Sequence, residues 1–156
     1  MKKTLAVLLS LCLILPCLFT GWVLPASAAA INPDEITGTV AEDYKPAKEA
    51  VGIASLEEIT DLEGNYYLTA DIAANGTTVQ GDFTGTFDGC GHTINSTKPL
   101  FEAVYGGTVK NFVMEGEVTN DAQTGAVARF AAGATFYNIW NKANVTCTAD
   151  SKYITG

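Results

Sequence analysis

The chain has 156 residues, enough for one domain, and its 17 acidic and nine basic side chains give a formal net charge of −8. That balance argues against nucleic acid or anionic lipid as partners. A single histidine and four cysteines leave few ways to build a metal site, and no zinc ligand spacing is present.

The first segment reads as a targeting signal. Lys2 and Lys3 form a basic start, positions 4–24 are apolar, and Pro25-Ala26-Ser27-Ala28 ends in a small-x-small cleavage pattern. Cleavage is expected after Ala28, with Ala30 as the alternative. The competing reading is an uncleaved anchor, because the apolar run exceeds the roughly 7–15 residues of a signal core. Pro16, Gly21 and the Ala-Ser-Ala end favour cleavage, and Pro16 before Cys17 argues against a lipid attachment site. The expected destination is secreted or cell surface, with no membrane insertion once the signal is gone. The remaining 128 residues carry seven basic and all 17 acidic side chains, a formal charge of −10.

Residues 29–54 read as a leader, extended or mobile, with Pro33 and Pro46 and no clear period. Ser55 and Glu58 have the spacing of a capping box, and Leu56, Ile59 and Leu62 lie on one helical face. This predicts a short helix over 56–62 that caps a β-stack. Strands are expected over 66–72, 78–83 and 85–87, broken by Asn75-Gly76 and Gly81-Asp82. Thr108-Val109-Lys110-Asn111-Phe112 then aligns with Thr135-Phe136-Tyr137-Asn138-Ile139 at a constant spacing of 27. Val118 with Val145, and Leu100 with Val127, keep the same spacing. Such a period, apolar on apolar, is that of a stacked solenoid, with Asn111 and Asn138 forming a side-chain ladder. Thr93-Ile94 resembles the same rung one step earlier, only 15 residues before Thr108.

The stretch Phe83-Thr84-Gly85-Thr86-Phe87-Asp88-Gly89-Cys90-Gly91-His92-Thr93-Ile94 pairs two β-prone pieces around a Gly-rich corner. It resembles the opening coil of bacterial extracellular proteins carrying the GLUG motif. Positions 67–72 and 107–112 are similar to the strands before and after that coil, and the resemblance spans about residues 55–156. It implies an all-β fold: a right-handed parallel β-helix of the pectin-lyase type. The segment nearest the motif, Gly125-Ala126-Val127-Ala128-Arg129, departs from it at Arg129. The end at Tyr153-Ile154-Thr155-Gly156 reads as the start of another coil, so a piece of a longer protein, or an end covered by a partner, is expected.

The chemistry-bearing residues are sparse. Asp71, Asp82 and Asp88 are the candidates for an acid–base pair or a Ca²⁺ site, although Asp82 and Asp88 also flank glycine as turn formers. His92 is read as bonding a backbone carbonyl. Tyr137, Trp140 and Arg129 are candidate ligand contacts, the rings for sugar stacking and Arg129 for an acidic sugar or for neutralising a neighbour such as Asp121. Tyr66, Tyr67 and Tyr105 are further candidate platforms. Cys90 and Cys147, about two coils apart and so roughly 9–10 Å or more, are expected as free, mostly buried thiols. No cofactor or metal is expected. The expected role is a non-catalytic surface module for adhesion or contact with an extracellular glycan or cell-wall polysaccharide. The alternatives are a polysaccharide lyase or hydrolase and a structural spacer.

Overall fold

The computed structural model describes residues 36–121 and 124–148. All of them fall within one compact unit, Asn32–Gly156. The signal segment, Cys12, Cys17, the cleavage sites and the final stretch Tyr153–Gly156 lie outside the described residues.

Twelve short strands follow one another: β1 (Val51–Ile53), β2 (Asn65–Leu68), β3 (Ile72–Ala73), β4 (Val79–Phe83), β5 (Thr86–Asp88), β6 (Thr93–Asn95), β7 (Phe101–Tyr105), β8 (Thr108–Glu115), β9 (Glu117–Asn120), β10 (Ala128–Ala132), β11 (Thr135–Asn141) and β12 (Asn144–Cys147). Runs this short, cut by Gly and Asn turns, cannot fold back as long hairpins. Every pairing among them is parallel. Parallel neighbours need a crossover; between β8 and β11 it is supplied by β9 and β10 of the other sheets, and between β1 and β2 by a stretch with no strand. The first sheet runs β1-β2-β5-β8-β6-β3 with β11 also on β8, the second runs β10-β7-β4, and the third is β12-β9.

The 27-residue spacing is the register of the last two turns of chain. Thr135 pairs with Thr108, Phe136 with Val109, Ile139 with Phe112 and Val145 with Val118. One turn earlier the reading of Thr93 as the equivalent of Thr108 is corrected. Thr86 pairs with Thr108, 22 residues away, while Thr93 pairs with Val113, 20 away. Both β5 and β6 rest on β8, and the four residues 89–92 between them span only Asn111 and Phe112. The extra length is taken up in a tight arch that still donates to β8, the Gly89 N–H to the Lys110 carbonyl and the Gly91 N–H to that of Asn111, and this breaks the period.

Phe83, Phe87, Phe101 and Phe112 are fully buried. Their rings meet at centroid distances of 4.9, 5.6 and 5.9 Å, the last two edge to face. Each such side chain contributes about 2–3 kcal/mol of transfer free energy, so this aromatic column holds the sheets together. Leu68, Ile94, Leu100, Val104, Val109, Met114 and Val118 extend it.

The predicted helix over 56–62 is instead one 3-10 turn, Leu56–Glu58. Leu56, Ile59 and Leu62 repeat every three residues, which matches a 3-10 turn better than an α-helix. Ser55 bonds Glu57 rather than a free amide, and Glu58 accepts the N–H of Ala54. The box is displaced by one residue and no second turn follows. Leu56 and Ile59 still reach the core. The thiols also differ from expectation. Cys90 is half-buried and Cys147 is exposed, because Cys147 lies on β12, the last described strand of its sheet.

Candidate functional site

Residues 36–50 form no strand or helix, yet they follow a definite course across the first sheet. Gly38 makes the closest approach. Its φ is +71° and a Cβ there would sit 2.4 Å from the carbonyl oxygen of Phe112, so only glycine fits. The segment is held by a polar column. Asn111 and Asn138 both adopt left-handed backbone, φ 59° and 49°, a conformation asparagine tolerates better than most residues. Asn138 Nδ2 donates to Asn111 Oδ1 at 2.9 Å, and Asn111 Nδ2 donates to Asp88 Oδ1 at 3.0 Å. The predicted ladder is present and continues down to Asp88. Asn138 also takes the N–H of Gly38 at 3.2 Å and donates to the Thr39 carbonyl at 2.8 Å.

At the lower end the Tyr44 hydroxyl donates to Asp88 Oδ2. Lys110 Nζ donates to Tyr44 Oη at 3.2 Å and lies 3.1 Å from Asp88 Oδ2. Asp88 is 3 % exposed. Burial alone would raise its pKa, but hydrogen bonds from Tyr44, Asn111, the Cys90 amide and Lys110 outweigh it and hold the carboxyl below the usual range. Burial opposes charge on Lys110 too, but contacts with Tyr137, Tyr44 and Asp88 outweigh it and raise its pKa. Burial and the Asp88 carboxylate raise Tyr44. Burial, then the Asp88 charge, pushes the Cys90 thiol up to about 12. Every group is driven away from neutrality. General acid–base work needs a pKa near the working pH, and a nucleophilic cysteine needs thiolate. This cluster is suited to holding residues 36–50 in place.

Beside it a cleft of about 520 Å³ opens between that segment and the first sheet, with Glu42, Tyr44 and Pro46 on one side and Tyr67, Thr69 and His92 on the other. Tyr67 lies over Gly52, where a Cβ would come within 2.8 Å of its hydroxyl. At the mouth Asp71 accepts the Thr93 N–H at 2.9 Å and lies 3.2 Å from His92 Nδ1. The Thr93 N–H, aided by His92 against a small burial effect, lowers the Asp71 pKa. His92 therefore faces a carboxylate, not the backbone carbonyl expected of it.

The remaining candidates are spread out. Asp82 is exposed on β4, in a different sheet from Asp88. Tyr137 and Trp140 are exposed on β11. Lys110 Nζ lies 5.6 Å from the Tyr137 ring and Lys142 Nζ 4.0 Å from the Trp140 ring. An ammonium over a ring competes with a sugar for that face. Tyr66 is buried, its hydroxyl accepting the Asp61 N–H. Arg129 pairs with Glu102, 2.9 Å from both oxygens, rather than with Asp121. Glu102 stands 27 residues before Arg129, as Glu115 does before Lys142, at 3.5 Å. Subtracting the repeat from each cation would have found both partners. Nothing local could have found Tyr44, whose partners are 44 to 67 residues away. No group of three His, Cys, Asp or Glu among the described residues could hold a metal ion.

No family model, no curated protein and no solved structure matches the chain. Among the described residues no helix is long and apolar enough to cross a membrane.

Proposed function

We propose that the chain is an exported surface module built as a right-handed parallel β-helix, and that it contacts an extracellular glycan without cleaving it. Parallel pairing throughout and the 27-residue register support the helical winding, and right-handed crossovers are the rule for parallel strands. One observation carries the role: the cleft beside Tyr44 and Tyr67. It offers tyrosine and proline faces for a sugar ring, with Thr69, His92 and Glu42 for hydroxyls. The electrostatics of Asp88 favour a structural task for that carboxylate.

The test is binding of residues 29–156 to an array of cell-wall and host glycans, followed by titration of the best ligand. Tyr67→Ala is expected to weaken binding about tenfold, the scale of a lost stacking contact. An array with no binder would remove the glycan reading and leave a spacer. The enzyme reading rests on the Asp71–His92 pair at the cleft mouth. Uronate release with added Ca²⁺, lost in Asp71→Asn, would replace the binding role with a catalytic one.

A further inference from the structure

A second cleft, of about 260 Å³, lies on another part of the surface, where β4, β7 and β10 meet the end of β9. Its lining is polar: Thr78, Gln80, Lys98, Glu102, Asn120 and Arg129. Glu102 holds the guanidinium of Arg129 against this wall. Lys98 is exposed, and its ammonium makes no ion pair or hydrogen bond among the described residues. Its backbone is fixed by Ser96, whose Oγ accepts the Lys98 N–H at 3.2 Å and donates to the Lys98 carbonyl at 2.8 Å. Gln80 is oriented by donating to the Thr78 carbonyl at 3.2 Å. Asn120 is 9 % exposed, and its Oδ1 accepts the Asp121 N–H. Among the described residues no buried side-chain polar atom lacks a partner, so the Asn120 Nδ2, which donates to none of them, is reachable from solvent.

Lys98, Arg129 and Glu102 sum to one positive charge, on a chain of formal charge −8. A local positive site on an acidic surface selects a monoanion by complementarity. Neutral amides and a hydroxyl around that charge suit a ring bearing several hydroxyls. We propose that this cleft binds a carboxylated sugar unit, with Lys98 and Arg129 facing the carboxylate and Gln80 and Asn120 facing hydroxyls. The inference deepens the glycan reading by naming a ligand class, but it uses residues that do not touch the first cleft.

Amide chemical shifts of labelled residues 29–156 test it, with glucuronate, N-acetylneuraminate, glucose and inorganic phosphate as separate probes. Glucuronate or N-acetylneuraminate should move the Gln80 and Asn120 signals, and which of the two binds more tightly identifies the source of the carboxylate. Lys98→Gln should weaken that binding about tenfold, the loss expected for a charge-assisted hydrogen bond. Lys98→Arg should restore it. Lys98 is exposed and unpaired among the described residues, so these variants leave the fold intact. Glucose binding as tightly as the acids, phosphate binding as tightly as either, no shift with any acid, or a Lys98→Gln variant of unchanged affinity would each overturn the proposal. Tyr67→Ala should leave these shifts unchanged, so failure at one cleft is separable from failure at the other.

Discussion

Lys110 shows how one side chain can be committed from several directions. Its ammonium meets Asp88, the Tyr44 hydroxyl, and the rings of Tyr44 and Tyr137 at 6.0 and 5.6 Å. Removing the carboxylate leaves a largely buried cation without its counter-charge. Asp88→Asn is therefore expected to destabilise the chain by about 3 kcal/mol, read from the urea midpoint at neutral pH. The pH dependence follows from the lowered pKa of Asp88. A carboxyl whose folded pKa lies below its unfolded value, roughly 3.9, stabilises the fold above that value. The stabilisation is lost as pH falls through the folded pKa. Urea midpoints of the native chain should thus drop below about pH 4, and those of Asp88→Asn should drop less steeply. The sequence offered Asp88 as a turn former and as a candidate acid–base or Ca²⁺ carboxylate; it is a turn former, since its Oδ1 accepts the Cys90 N–H at 3.0 Å. Its second role depends on a tyrosine in a segment without a period.

The asparagine column separates what a residue does for its backbone from what it does with its side chain. Asn111 bends β8 through a left-handed step and also hands a hydrogen bond to Asp88. Asn111→Gly keeps the first and loses the second, whereas Asn111→Ala loses both. The alanine variant should be the less stable by about 1 kcal/mol, the cost of a left-handed backbone with a Cβ, measured as the difference between their urea midpoints. This column was legible because Asn111 and Asn138 share the uniform 27-residue spacing. The earlier strands were legible as strands but not in their register, since β5 and β6 sit on β8 at spacings of 22 and 20. The 3-10 turn was misread for a related reason: three apolar residues spaced by three fit the start of an α-helix as well as a tighter turn.

Across the whole molecule, burial is uneven. Val109 and Val118 are fully buried, while their register partners Phe136 and Val145 are 40 % and 41 % exposed. Phe130, opposite Ala103, is 40 % exposed as well. The inward stripe of β10–β12 is thus apolar without being covered among the described residues, and large exposed apolar patches favour association. Residues 29–156 should show association that rises with concentration in sedimentation velocity. Phe136→Lys combined with Val145→Lys should shift them toward monomer with little change in the core. Unchanged sedimentation would mean this stripe does not drive association. The parallel, all-β character was what the resemblance implied, while the stacking was readable from the repeat itself. The two clefts were not, because each gathers residues from distant rungs and, for the first, from residues 40–46.

The arch at 89–92 also has a consequence for variation. Its flanking strands are both anchored on β8, and the corner between them is packed from two sides: a Cβ on Gly89 would meet Phe112 at 2.4 Å, and one on Gly91 would meet the Val40 amide nitrogen at 3.2 Å. Insertions there would push residues 39–40 off the sheet and reshape the cleft that Cys90 and His92 line, so the length of this corner is tightly constrained.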